Sequence, residues 1–255
     1  MSLRKLCWAA VAWGVCAGAV SADPMRTVFT KENKFPGAMR AELSLAGGGS
    51  SYDGDRVLGD VSKYNVTPGA RFGLTDRVAV LADIPYTGYS SDLNDADGLG
   101  DISLGLDFLF FEDIFEYAWI IPHVAALLPT GDEDEMLGEG QGQGVFGVSS
   151  GTTTMDVLHW AADVAYTSNG SASEEDEDLI TGALSLVCDL DERASLLGEV
   201  QVRDDALDPE DSYALRGHIG LAYKINKHLT LMGYGGGASG LAEDLYGMGR
   251  LVYAF

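Results

Sequence analysis

The residues Gly247-Met248-Gly249-Arg250-Leu251-Val252-Tyr253-Ala254-Phe255 decide how the whole chain is read. Gly247, Gly249, Leu251, Tyr253 and Phe255 share one parity, and Arg250 falls on the other. A period of two marks an extended strand. A strand left unpaired at its edge invites association with other chains. Pairing this one with the first strand of the chain covers the edge and closes the sheet into a cylinder. The expected partner is residues 39–46, where Met39, Ala41, Leu43 and Leu45 alternate with Arg40, Glu42 and Ser44.

The same alternation recurs between these two stretches. Residues 61–74 set Tyr64, Val66, Ala70 and Phe72 against Lys63, Asn65, Thr67 and Arg71, and residues 78–86 set Val78, Val80, Ala82, Ile84 and Tyr86 against Asp83. In 101–111, Ile102, Leu104, Leu106, Phe108 and Phe110 oppose Ser103, Gly105 and Asp107. Residues 117–128 are apolar on both faces, and only His123 suggests which face is polar; 143–150 is glycine-rich and weakly patterned. Residues 157–167 oppose Leu158, Trp160, Ala162, Val164 and Tyr166 to His159, Asp163 and Thr167. Further strands fall at 179–189, 194–203, 213–225 and 229–237 before the closing one at 245–255, giving twelve.

The connections alternate in length. Short links at 75–77, 190–193 and 226–228 are interleaved with long ones near 47–60, 87–100, 129–142, 168–178, 204–212 and 238–244. An even strand count with short turns at one end and long loops at the other is the layout of a barrel that crosses the outer membrane. Charge fixes the parity, because Arg or Lys facing lipid near the midplane costs roughly 2–4 kcal/mol. Arg216 and His218 therefore face inward, and Leu215, Ile219 and Leu221 face lipid. Aromatics gather near strand ends, as membrane-interface girdles require: Tyr64, Tyr86, Tyr166 and Tyr213 at one rim, Phe72, Phe108, Phe110, Trp160, Tyr223 and Tyr253 at the other. The predicted fold is an all-β, transmembrane antiparallel up-and-down barrel over residues 38–255.

The start of the chain fits export. Arg4 and Lys5 precede an apolar run from Leu6 to Val20, with Val20-Ser21-Ala22 before Asp23, which describes a signal peptide over 1–22. Residues 23–37 are polar and mixed, and are expected to be a periplasmic lead-in segment. Cys7 and Cys16 lie in the signal, so Cys188 is left alone and neither a disulfide nor a cysteine metal site is expected. Without Arg4 and Lys5 the chain keeps 14 of its 16 Lys+Arg against 39 Asp+Glu, a balance of −25 that argues against nucleic acid as a partner. The expected location is the outer membrane of a Gram-negative bacterium, and no cofactor is implied.

Several segments resemble the outer-membrane transporter family named for the "MetA-pathway of phenol degradation". These are Gly98-Leu99-Gly100-Asp101-Ile102-Ser103-Leu104-Gly105-Leu106, Leu128-Pro129-Thr130-Gly131-Asp132 with Leu137-Gly138-Glu139-Gly140, the stretch 190–199, and Gly220-Leu221-Ala222-Tyr223-Lys224-Ile225-Asn226. The likeness spans most of the mature chain on short glycine-rich motifs. It implies an outer-membrane channel or transport role and carries over no catalytic residue. The closing strand is likewise similar to those of outer-membrane barrels, in which residues placed as Leu251, Tyr253 and Phe255 are here are read by the assembly machinery.

Candidate site residues follow from the inward parity. Arg40, Lys63, Arg71, Arg203, Arg216, Lys224 and Arg250, with Glu42, Asp83, Asp107, Asp163 and Glu199, are expected inside, together with His159 and His218. They would form a charged eyelet that filters small solutes, or pair with one another as a polar core; a barrel of this size permits both. If His123 faces inward, Trp119, Ile121 and Leu127 join it, and a partly apolar lumen would suit aromatic or hydrophobic solutes. The long loops are strongly acidic, with Asp92, Asp95, Asp97, residues 132–135 and 174–178, Asp204, Asp205, Asp208, Glu210 and Asp211, and Arg56 as their one base. Such loops attract cations over about a Debye length of 8 Å, or simply keep the surface solvated. A second reading is a structural or adhesive barrel with a closed lumen, whose acidic loops bind divalent cations such as Ca²⁺ or Mg²⁺. A hydrolase at the rim is weaker, since His159 and Asp163 lie four residues apart on one face, roughly 13 Å along the strand.

Overall fold

The computed structural model describes residues 23–52, 61–91, 95–114, 118–133, 135, 137–170, 178–204, 213–239 and 245–255. The signal segment and much of the acidic loops, including Asp92, Asp134, residues 174–177, Asp205, Asp208, Glu210 and Asp211, lie outside them.

The described residues form one antiparallel sheet closed into a twelve-stranded barrel. Its strands are β1 (Ala41–Tyr52), β2 (Val61–Thr75), β3 (Val78–Asp83, continued by Tyr86–Ser90) and β4 (Asp95–Leu99, continued by Ile102–Phe108). Then come β5 (Ala118–Leu128), β6 (Gln143–Thr154), β7 (Leu158–Asn169), β8 (Leu179–Asp189), β9 (Ala194–Asp204), β10 (Tyr213–Lys224), β11 (Leu229–Ser239) and β12 (Leu245–Ala254). A short strand, Phe111–Ile114, folds back on β5. The seam lies where the sequence placed it: β12 pairs with β1, Leu43 opposite Tyr253 and Leu45 opposite Leu251, and the Phe255 N–H donates to the Ala41 carbonyl at 3.0 Å.

Alternation sorts the two faces. Leu43, Val66, Leu104, Val164, Leu184, Ile219, Leu231 and Leu251 point outward and are exposed, while Glu42, Arg71, Asp107, Asp163, Glu199 and His218 point inward and are buried. Exposed apolar side chains all round a closed sheet are costly in water and favourable in hydrocarbon. Tyr86 and Tyr166 sit at the long-loop rim with their hydroxyls donating to Asp97 and Asp178, as amphipathic rings do at a membrane interface.

Three regions differ from expectation. Strands run further toward the long-loop end than the apolar pattern does: 47–52 and most of 87–99 are ladder rather than loop, because backbone pairing continues where side chains have become polar. Weakly patterned 143–150 is the first part of a longer strand, β6, which reaches Thr154 and turns tightly through Met155 and Asp156, both at positive φ (54° and 60°). With Thr154 paired to Leu158, the connection is a three-residue hairpin loop, among the common lengths.

The third difference is the largest. Residues 23–37, expected as a periplasmic lead-in segment, run inside the barrel. Met25, Arg26, Thr27, Thr30, Glu32, Phe35 and Pro36 are buried. The segment has no regular secondary structure and no apolar period, so nothing in its pattern marks it as interior. Its two ends lie at the short-turn end: Asp23 beside Lys224, and the Ala38 N–H donating to Asp76 in the β2–β3 turn at 2.8 Å. Gly73 makes the entry possible, since a Cβ there would fall 2.4 Å from the carbonyl oxygens of both Pro36 and Gly37.

Candidate functional site

The site is the lumen together with the loop of chain that fills it. Glu199 stands midway along β9 and accepts the N–H groups of Val28 (2.7 Å) and Phe29 (3.1 Å), with His218 Nε2 2.9 Å away. These two residues form the tip of the loop. Below it, Arg26 forks onto Glu32 (2.8 Å), reaches Ser195 (2.8 Å) and Asp189, and its carbonyl accepts the Tyr234 hydroxyl at 2.7 Å. On the other limb, Thr30 and Ser185 hydroxyls lie 2.7 Å apart, the Lys31 N–H donates to Ser149 at 3.0 Å, and the Lys34 carbonyl accepts from Arg71 at 3.0 Å. The loop is thus tied by side chains to strands around the ring, and by no backbone ladder.

Charge explains why polar barrel and polar loop fit together. A buried charge is costly unless paired. Arg71 and Glu42 lie 3.3 Å apart, with Asp107 3.6 Å from Arg71 and 3.2 Å from Lys31. On the loop, burial pushes the Glu32 carboxyl up, but the charges of Arg26 and Lys34 outweigh it and hold Glu32 below its usual range. Burial lowers Lys34 further than Glu32 and Asp23 restore it.

The candidate residues separate into groups. Glu42, Arg71 and Asp107 come together on one wall; Glu199, His218 and Arg216 on another, where the Arg216 guanidinium lies 4.3 Å from the Tyr246 ring. Lys224 pairs with Asp23 at 2.7 Å, near the short-turn end. Arg250 and Asp83 line a third stretch beside Arg71, around a cavity of about 280 Å³. Lys63 stands at the long-loop end, across from Ser50 on β1 and Tyr89 on β3. Arg203 is half-buried on β9 opposite Ala214, and Arg40 lies just before β1, its N–H donating to Gly37 at 3.0 Å.

His159 and Asp163 do not meet. His159 lies 2.8 Å from Asp189, and Asp163 is 2.8 Å from His123. Ser149 also donates to Asp163, so the carboxylate stands between serine and imidazole, and the serine does not meet the histidine as a nucleophile–base pair would. His123, Trp119 and Ile121 do face inward, but Trp119 and Ile121 pack with Phe35, Leu109 and Ala161 as a buried layer rather than as an open apolar wall. The sequence reading missed Arg26, Phe29, Glu32, Asp189 and Tyr246. Parity alone places Asp189 and Tyr246 inside, since they share a face with Ser185 and Arg250; Arg26, Phe29 and Glu32 had no such signal.

Among the described acidic loop residues, Asp97 accepts the Tyr86 hydroxyl, Asp178 the Tyr166 hydroxyl and the Asn169 N–H, and Asp132 the Glu135 N–H. Asp101 accepts the N–H groups of Thr130, Gly131 and Glu139, pinning the loop that follows β5.

No protein-family model and no curated protein matches the chain. Solved structures do. The outer-membrane channel of the COG4313 group from Pseudomonas putida F1 superposes with a TM-score of 0.67 at 16% identity, covering 94% of this chain and 100% of that one. The NanC porin gives 0.58 at 9% identity over 84% of this chain and 98% of its own. The KdgM porin in complex with disordered oligogalacturonate gives 0.57 at 10% identity over 84% and 99%. Fold, lipid-facing belt and these likenesses agree: the chain folds as an outer-membrane β-barrel.

Proposed function

We propose that the chain is a passive outer-membrane channel for small solutes, and that residues 24–36 regulate it from inside. The observation that carries this reading is the way the loop is held. It enters and leaves at the same end of the barrel, so it can withdraw without threading, and it is tied by side chains that can exchange for water. A wall built from the β ladder has no such freedom. Free spaces remain on either side of the loop, about 310 Å³ toward the long loops and about 280 Å³ beside Arg71 and Arg250. They share Val28, Asn65 and Met248, so a route past the loop tip would join them. Similarity to porin structures supports the reading without fixing a solute.

The resemblance to the phenol-degradation transporters adds aromatic compounds as the solute class. The closing residues Leu251, Tyr253 and Phe255 would serve as the signal for the assembly machinery. The test is planar-bilayer recording of purified protein. The reading requires discrete ion currents from the full chain that grow when residues 24–36 are deleted. A deletion protein that folds yet passes no current would end it.

A further inference from the structure

Asp83 on β3 and Arg250 on β12 line one cavity of about 280 Å³ beside the loop, and both are half-buried. Among the described residues neither makes a hydrogen bond or an ion pair, and Arg250 acts on Asp83 through its charge across the space between them. The other charges at this cavity are matched. Lys31 lies 3.2 Å from Asp107, and Arg71 lies 3.3 Å from Glu42. At longer range Lys31 also acts on Asp83, and Arg250 on Glu42. The cluster therefore balances in charge, with one guanidinium and one carboxylate left facing the cavity unbonded.

Small residues keep these two charges apart. β12, β1, β2 and β3 are neighbours in turn, so Arg250 and Asp83 stand three strand spacings from each other, roughly 14 Å along the wall. Between them, Gly69 and Ser44 are in register with Asp83, and Ala46 with Arg250. The Asp83 carboxylate leans over Gly69, where a Cβ would collide with both Asp83 Oδ1 and Ser44 Oγ. Met25 and Val28 of the loop and Met248 of β12 give the cavity an apolar side. Methionine is unbranched and polarizable, and packs on varied shapes. The volume is well above the roughly 150 Å³ that holds a benzene ring.

A charge withdrawn from water is costly until it is paired. A solute carrying one charge would satisfy Arg250 or Asp83 and leave the other unpaired. A zwitterion satisfies both and adds no net charge. We propose that this cavity binds a zwitterionic α-amino acid with an apolar side chain, its carboxylate on Arg250, its ammonium on Asp83 and its side chain against Met25, Val28 and Met248. The planar guanidinium suits the carboxylate end, which it can take in two parallel hydrogen bonds. An occupant touches loop and wall at once. Its place on a transport route rests on the channel reading; the binding itself does not.

Calorimetric titration of the purified full chain in detergent tests it, with leucine, isocaproate (leucine without its ammonium) and isoamylamine (leucine without its carboxylate) as probes. Leucine should bind at least about tenfold more tightly than either, because each of the others lacks one charge-assisted pair. Asp83→Asn should weaken leucine about tenfold or more and put isocaproate ahead of isoamylamine. Arg250→Gln should weaken leucine likewise and put isoamylamine ahead. If Arg250→Gln does not fold, Asp83→Asn carries the test alone. Leucine that fails to bind, either analogue binding as tightly as leucine, or leucine binding unchanged in Asp83→Asn overturns the proposal. So does a loss shared equally by all three probes, which would mark these residues as structural. Selective leucine binding by a protein that never conducts would sink the channel reading and leave the site standing. A conducting protein that does not bind leucine would sink the site alone.

Discussion

The two ends of the described chain are held in opposite ways. β12 is held by a backbone ladder on both edges, to β1 and β11, and its side chains alternate between lipid and lumen. Residues 23–37 make almost no backbone pairing and are held by single side chains: Glu199 at the tip, Asp189 and Ser195 on one limb, Ser149 and Arg71 on the other. A ladder is all-or-none, because losing one strand exposes two edges. A set of separate side-chain contacts can be released in steps while the barrel stays closed. One end of the chain completes the wall, and the other is packed against it through side chains.

The sharpest way to break the contrast is to remove each end. Deleting 245–255 should abolish the folded barrel, seen as loss of the heat-modifiable band in electrophoresis. Deleting 24–36 should leave that band intact and raise single-channel conductance several-fold. Equal loss of folding in both would erase the distinction.

Smaller changes should act on the loop alone. Gly73→Ala puts a Cβ against the carbonyl oxygens of Pro36 and Gly37, an overpacking worth about 1–3 kcal/mol. It should increase open time and protease access to residues 24–36 without altering the strand content measured by circular dichroism.

Acid should loosen the loop as well. Glu32 sits below its usual range when folded, so its contribution is complete above the unfolded carboxyl value of about 4.3 and is lost as pH falls through the folded value. Open probability should therefore rise as pH is lowered from 5 toward 3, on the order of those values, and Glu32→Gln should be partly open already at neutral pH. A flat profile in the wild-type chain would contradict this.

The smallest effect is expected outside the lumen. Arg77 and Glu112 form an exposed pair at 3.2 Å, and Glu112→Gln should change thermal stability by no more than about 1 kcal/mol, with conductance untouched.

The wall was legible because lipid imposes a strict rule. Arg216 and His218 could not face hydrocarbon, Leu251 and Tyr253 could, and that parity made the last strand the partner of the first, where the structure sets Leu251 and Tyr253 against Leu45 and Leu43. Strand ends were read short where Gly48, Ser50 and Thr87 replace apolar residues, since backbone pairing persists beyond the membrane without a side-chain signature. The loop was illegible for the complementary reason. Arg26, Thr27, Thr30 and Glu32 are buried, yet their composition is that of a solvated linker, because the surface they pack on is itself polar. Long-range pairs such as Arg26 with Asp189, 163 residues away, reveal the position, and such pairs have no period.

A reversible clamp tests the central claim most directly. Thr30 Oγ1 and Ser185 Oγ lie 2.7 Å apart, so Thr30→Cys with Ser185→Cys, in a Cys188→Ser background, should form a disulfide between loop and wall. Bilayer recordings should show the oxidised protein locked in its low-conductance state and openings restored by reductant. Oxidised and reduced proteins conducting alike would show that the loop is a fixed part of the wall and not its gate.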